Sequence, residues 1–576
     1  MEKRWVIKPK ADEVVVNSLA SELKISEVLA NLLVQRGITT YDEAKKFFRP
    51  NLADLHDPFL MKDMDKAVTR LEKAIQNNEK ILVYGDYDVD GTTAVSLMYS
   101  FLLSLPQISD RSQIEFYIPD RYSEGYGISF QGIDYAQAHG FTLIIALDCG
   151  IKAIDKVAYA NERAIDFIIC DHHRPGDTLP EAVAVLDPKR EDCFYPFDEL
   201  CGCGVGFKLV QAYCQKNDIP FSELEQYLDL TAISIASDLV PIVGENRILC
   251  YFGLQQINKT PRKGIKAILE LANIKKEVTI NELVFTIGPR INAAGRLETG
   301  RNAVDLLISD NLADAATNGK NINITNTERR NIDVTITQHA LSMVEENAEL
   351  ISRKTTVLFY PEWHKGVVGI VASRMIEKYY RPTIILTESN GKATGSARSV
   401  KDFDVYDAIE ACSDLLEQFG GHKYAAGLTL KLENLEAFQQ KFEEVVSATI
   451  QDHMLIPEIE IDEEIELSDI TPKFFRVLNQ FSPFGPGNMS PVFVSKSLVD
   501  KGAVRIVGNN HLKMDIRSNE KETETFAAIA FGQARHFDDV LRQKTFCACY
   551  AIEENVFNGT VSLQLNVKDM KIMDNE

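Results

Sequence analysis

Three apolar runs in this chain end in acidic residues, and one of them ends in paired imidazoles as well: ILVYGDYDVDG (Ile81 to Gly91), LIIALDCG (Leu143 to Gly150) and DFIICDHH (Asp166 to His173). Hard carboxylate oxygens with one or two imidazoles are the donor set that a pair of divalent cations takes. The candidates are Asp86, Asp88, Asp90, Asp148, Asp171, His172 and His173. Alternating aspartates leaving a strand can turn toward one point, and Gly91 permits tight entry into a helix whose N-terminus favours anions. An EF-hand reading of the first loop fails, because its twelfth position is Leu97 and a strand precedes it. Alone, Asp148 would be read as a helix cap; beside the other two loops it reads as a ligand. His172 and His173 are adjacent, so on a strand they face opposite ways, one toward metal and the other toward substrate. Asp238, in AISIASDLVP, is weak by itself and would complete a second metal shell.

The elements that must hold these groups follow from periodicity. Between about residues 61 and 188 a helical pattern (MDKAVTRLEKAIQ, TTAVSLMYSFLLSL) alternates with short β-branched runs, which predicts a parallel sheet with crossover helices. Ligands of such sheets lie outside the carboxyl ends of the strands, where each acidic loop sits. The polar stretch TNGKNINITNTERRNIDVTITQHALSMVEE predicts a long connecting helix, and a second α/β unit begins near Lys354. The acidic alternation Glu458 to Asp462 reads as a solvated edge strand and boundary. Short strands with turns after PFGPGN predict a small antiparallel barrel.

At 576 residues the chain needs several domains. No apolar run is long enough for a signal peptide or a membrane span, which predicts a soluble cytoplasmic protein. Ten cysteines without zinc-site spacing read as reduced thiols. A net charge of −22 argues against general coating of a polyanion, so a nucleic acid would need a local basic groove.

The blocks VYGDYDVDGTTA, ALDCG, CDHHRPG, IASDLVP, FTIGPRINAAGRLE, WHKGVVGIVASR, GSARS and FGGHKYAAG occur in this order over nearly the whole chain. Together they resemble the DHH/DHHA1 phosphoesterase superfamily and, within it, the RecJ family of single-strand-specific exonucleases. The resemblance implies a multidomain α/β chain: a parallel-sheet DHH domain, a connecting helix, a DHHA1-type α/β domain and a C-terminal oligonucleotide-binding (OB) type β-barrel. The expected boundaries are 1–60 (a helical extension packing on the catalytic domain), 61–260 (DHH), 261–350 (helical), 351–452 (DHHA1) and 453–576 (barrel).

It also implies 5′ to 3′ digestion of single-stranded DNA to 5′ mononucleotides, in recombination and repair, with two Mn²⁺ or Mg²⁺ ions. Motif matches place metal ligands at Asp86, Asp88, Asp90, Asp148, His172 and Asp238, make Asp171 an orienting carboxylate, and turn His173 toward the scissile phosphate. Arg290, Asn292, Arg296, Ser396, Arg398, Gly421 and His422 match substrate-binding positions, with the small residues of GPRINAAGR letting backbone approach the DNA. The implied partners are a RecQ-type helicase and a single-strand-binding protein, with a monomeric chain and no membrane. Two departures stand out: Asp187 where the family more often has Asn, and the cysteines of LCGCGVGFK. The rival readings are a phosphodiesterase for short oligoribonucleotides or cyclic dinucleotides, a manganese pyrophosphatase (Tyr84 replaces its leading histidine), and a non-catalytic replication scaffold.

Overall fold

The computed structural model describes residues 2–108, 110–519, 524–557 and 560–573. The chain divides into two compact units: residues 50–338 with 483–488, and residues 1–49, 339–482 and 489–576.

In the first unit, five strands lie parallel in the order Ile114–Tyr117, Lys80–Gly85, Phe141–Leu147, Asp166–Cys170, Ala184–Leu186. Alternate residues of each strand feed opposite faces. Ile81 and Val83 join a core with helices Met64–Gln76, Val89–Ser104 and Gly202–Lys216, whereas Leu82 and Tyr84 join one with Phe130–Ala138 and Ile154–Asn161. Both faces are covered, which is why these strands read as continuous apolar runs. All three acidic loops leave the same edge, as the crossover pattern predicts. The polar stretch after Asn311 is one helix, Leu312–Glu345, and the division between units falls within it.

The second unit contains a mixed sheet in the order Gln418–His422, Ala425–Lys431, Lys392–Arg398, Thr383–Ser389, Thr356–Phe359, in which only the last pair is parallel. It also contains the barrel: Glu463–Glu464, Phe493–Asp500, Phe546–Phe557, Thr560–Ile572, Phe526–Ala530, His511–Ser518 and Arg505–Val507 are neighbours in that order. The sheet closes where Phe493–Asp500 also pairs with His511–Ser518. A bulge between Ser495 and Leu498, with Ser497 at φ 50°, lets that strand pass from one neighbour to the other. The barrel is not wholly antiparallel: Ala527–Ala530 run parallel to Gln564–Val567, and Glu463–Glu464 parallel to Phe493–Val494.

Two expectations are corrected here. The acidic run is an edge strand but not left to solvent alone: in a two-stranded sheet Glu458–Ile461 pairs in parallel with Arg4–Ile7, and its carboxylates meet cations distant in sequence. Arg4 bonds Glu458, Lys401 Nζ holds Glu458 at 2.8 Å and also bonds Glu460, and Lys8 Nζ lies 3.0 Å from Asp462. Nor do residues 1–60 form one extension on the catalytic domain. Residues 1–49 belong to the unit with the mixed sheet and barrel, where Trp5 Nε1 donates to Asp569 at 2.9 Å, and only the rest belongs with the parallel sheet. All ten cysteines are free thiols. Among the described residues no helix is long and apolar enough to cross a membrane.

Candidate functional site

The strand Lys80–Gly85 delivers the first loop. Asp88 caps the helix Val89–Ser104 by accepting from Gly91 N at 3.0 Å, so the predicted strand-to-helix turn forms. Gly91 is obligatory there, since a Cβ would stand 2.4 Å from the Asp86 carbonyl oxygen. Asp90 points to the N-terminus of helix Gly202–Lys216 and accepts from Gly202 N and Cys203 N at 2.7 Å each, and from Ser234 Oγ at 2.6 Å. The CGCG segment is therefore what fixes Asp90, together with Ser234. A Cβ on Gly202 would lie 2.6 Å from that of Asp148.

Asp148 follows the strand Phe141–Leu147 in the left-handed region, at φ 59°. Its amide continues the ladder to the Cys170 carbonyl at 2.9 Å while its side chain turns into the cluster. His172 Nε2 lies 3.2 Å from Asp148 Oδ1, 3.7 Å from Asp90 Oδ2 and 3.7 Å from Asp238 Oδ2. Asp238 caps the end of helix Leu228–Ser237, one turn beyond Ser234. Asp171 is held by backbone amides and by His173. Its Oδ1 accepts from His172 N, His173 N and, at 2.7 Å, His173 Nδ1; its Oδ2 accepts from Ile151 N at 2.9 Å. The two imidazoles thus diverge as adjacency requires, and Asp171 orients His173, not His172.

The electrostatics are those of carboxylates crowded without compensation. Burial, then the charge of Asp90, pushes Asp148 well up, and the same causes raise Asp238 to about 8. Burial with a neighbouring aspartate raises Asp86 and Asp88. Burial lowers His172. Asp171 moves oppositely: burial alone would raise it, but the hydrogen bond and charge of His173 hold it at about 2. Asp148 Oδ1 and both ring nitrogens of His172 are buried with no hydrogen-bond partner. Orphaned carboxylate and imidazole donors facing one another fit Mn²⁺, and also Mg²⁺, whose charge would reverse the suppressed ionisation. Two overlapping triads, Asp148 with His172 and His173, and Asp90 with His172 and Asp238, have donor atoms close enough to share an ion.

Sequence reasoning missed the segment after Ile114–Tyr117. Tyr126 Oη lies 3.2 Å from His173 Nε2 and donates to the Asp148 carbonyl at 3.2 Å, and Gly127 N donates to Asp86 at 3.4 Å. An aromatic between glycines (GYG) behind an edge strand was the available signal. Ser234 was also missed; its signal was the one-turn spacing to Asp238. The GPRINAAGR segment is a helix, Gly288–Leu297, preceded by a π-helix, Leu283–Ile287. Its glycine serves a different approach from the one expected: a Cβ on Gly295 would stand 2.2 Å from the Tyr87 carbonyl oxygen, so the helix lies on the aspartate loop. Arg290 donates to the Thr286 carbonyl at 2.8 Å and to Asn323 at 3.1 Å; Asn292 and Arg296 are half-buried on the same helix. Asp187 is fully buried beside Asp171; burial pushes it up to about 7, and its Oδ2 has no partner.

Ser396, Arg398, Gly421 and His422 lie in the other unit. Arg398 Nη1 donates to Ser396 Oγ at 2.7 Å, burial lowers its pKa, and no carboxylate pairs with it among the described residues. A Cβ on Gly369, in the first turn of helix Val368–Lys378, would meet Arg398 Nη2 at 3.0 Å and Ser396 Oγ at 3.1 Å. A guanidinium, a hydroxyl and a helix N-terminus together suit a phosphate. Gly421 has φ 147° and His422 is exposed. His364 accepts from Gly366 N at 3.1 Å, a local turn contact.

Residues 80–235 match the DHH family, N-terminal domain; residues 353–448 match the DHHA1 domain; and residues 461–569 match the RecJ OB domain. Over 577 residues the chain is 37% identical to the single-stranded-DNA-specific exonuclease RecJ of Bacillus subtilis (strain 168), covering 99% of this chain and 71% of that protein. It is 32% identical to the RecJ of Escherichia coli (strain K12), covering 95% and 96%. The crystal structure of RecJ in complex with Mn²⁺ from Thermus thermophilus superposes with a TM-score of 0.84 at 26% identity, covering 99% of this chain and 80% of that one.

Proposed function

Because the chain belongs to the RecJ family of single-stranded-DNA-specific exonucleases, we propose that it degrades single-stranded DNA from the 5′ end to 5′ mononucleotides, in DNA recombination and repair. The observation that carries this reading is the buried, unpartnered Asp148 and His172 donors facing Asp90 and Asp238. Asp148, His172, Asp238, Asp90, Asp86 and Asp88 would hold two divalent cations, Mn²⁺ or Mg²⁺. Bound there, the cations supply Lewis acidity toward phosphoryl oxygens and toward water at neutral pH.

The chain's own residues supply position. Asp90, held by three donors, keeps one carboxylate fixed against His172. Asp171 accepts a hydrogen bond from His173 Nδ1, which fixes the ring so that Nε2 faces Tyr126 and the scissile phosphate. Arg290, Asn292 and Arg296 contact the strand, and Arg398 with Ser396 takes a phosphate through the guanidinium fork. A cytoplasmic monomer working with a RecQ-type helicase and a single-strand-binding protein completes the proposal.

End-labelled single-stranded DNA, duplex and short RNA, each incubated with Mn²⁺ or Mg²⁺, test it. Release of 5′ mononucleotides from single-stranded DNA alone is expected. Preferential cleavage of short RNA would transfer the site to an oligoribonucleotide phosphodiesterase.

A further inference from the structure

In a chain of net charge −22, one part of the parallel-sheet unit gathers arginines. Arg290 is half-buried, and burial together with the nearby charges of Arg330 and Arg329 holds its guanidinium below the ordinary value. Its Nε is tied to Asn323 on the helix Leu312–Glu345, and Arg330 lies seven residues further along that helix, two turns on and therefore on the same face. Arg330 is exposed and pairs with no carboxylate among the described residues. One residue before Thr286, whose carbonyl receives Arg290, stands Phe285, 76% exposed.

Phe285 sits within the five-residue π-helix Leu283–Ile287. Helices widened in this way are rare and recur at functional sites. The other end of the same helical segment lies on the aspartate loop through Gly295, ten residues and so about 15 Å away. The segment therefore leads away from the metal ligands, carrying cations and one bare aromatic face.

Resting on the single-strand reading above, we propose that Phe285 and Arg330 form an accessory binding patch for the DNA strand beyond the cleavage position, Phe285 stacking on a base and Arg330 taking a phosphate. Every base offers a π-face, so such a contact is sequence-tolerant, as an exonuclease requires. Arg329 is paired with Asp333 at 2.8 Å, but no carboxylate pairs Arg290 or Arg330 among the described residues, and their charge selects a polyanion over an apolar protein partner.

The experiment uses the full chain with Phe285→Ala and Arg330→Gln, measuring kcat and KM on a long oligothymidylate and, separately, anisotropy of the labelled strand in EDTA. For Phe285→Ala, KM and the dissociation constant should rise about fivefold or more, since stacking on an aromatic is worth roughly 1–3 kcal/mol per base. At saturating DNA, kcat should be unchanged. For Arg330→Gln, the slope of log affinity against log salt should fall by about 0.7, one phosphate contact on a single strand. Unchanged KM, affinity and salt slope in both variants overturns the proposal and leaves this face to a protein partner. Loss of kcat with a lowered thermal midpoint overturns it in favour of a structural role. A wild-type chain that binds the strand in EDTA but never cuts it fails the functional reading alone.

Discussion

The parallel sheet and the mixed sheet each have five strands, yet they prepare opposite charges. At the ends of the parallel strands, carboxylates crowd His172 until burial and mutual repulsion suppress their ionisation. On the mixed sheet, half-buried Arg398 stands against a serine and a helix N-terminus with no carboxylate pairing it among the described residues. One site lacks positive charge and the other lacks negative charge. A divalent cation answers the first and a phosphate answers the second, so each sheet spends stability on a group that only a ligand satisfies.

The comparison breaks most visibly at Asp148. Asp148→Ala should cost more than about a thousandfold in turnover, about 4 kcal/mol, without lowering the thermal midpoint, because a buried like charge is removed. Mn²⁺ should raise the unfolding midpoint of the wild type and not of the variant, since a cation that binds only the folded state stabilises it. Turnover retained in excess Mn²⁺ would remove Asp148 from the ligand set. Next comes Arg398→Gln, where loss of a charged hydrogen bond worth about 1.5–3 kcal/mol should raise KM for DNA roughly tenfold to a hundredfold. A fall in kcat at unchanged KM would instead tie Arg398 to the chemical step.

Smaller still is a contrast inside the GGH end of the strand Gln418–His422. A Cβ on Gly421 would stand 2.3 Å from the Ala425 carbonyl oxygen at φ 147°, whereas one on Gly420 meets nothing within 4 Å. Gly421→Ala should therefore destabilise by about 1–3 kcal/mol and Gly420→Ala by far less, read by denaturant unfolding. Equal losses would mean that the close backbone approach and positive φ at Gly421 do not limit stability. The least effect belongs to Lys401→Gln: its partly exposed pairs with Glu458 and Glu460 should be worth no more than about 1 kcal/mol, and less in high salt.

The strand-end delivery of ligands was legible because parallel strands buried on both faces leave long apolar runs, with each acidic loop directly behind one. The long polar helix was legible for want of breakers. What escaped was non-local. The carboxylate of Asp90 is held by amides 112 and 113 positions away, and no local pattern announces that a cysteine-bearing turn will serve an aspartate. GPRINAAGR opposes helix propensity with its glycines and proline, and packing of Gly295 on Tyr87 overrides that preference. Glu458 to Asp462 looked solvated because its neutralising cations lie elsewhere in the chain.

That acidic strand has a consequence for how the protein is made. Arg4 and its partner Glu458 are 454 positions apart. At a synthesis rate of about 5–20 residues per second, the strand Arg4–Ile7 waits on the order of tens of seconds for the strand it will pair with. Residues 50–338 have emerged long before that and can bury their own sheet. The N-terminal segment meanwhile needs either a temporary shelter or enough charge to stay soluble; Glu2, Lys3, Arg4, Lys8 and Lys10 supply the charge.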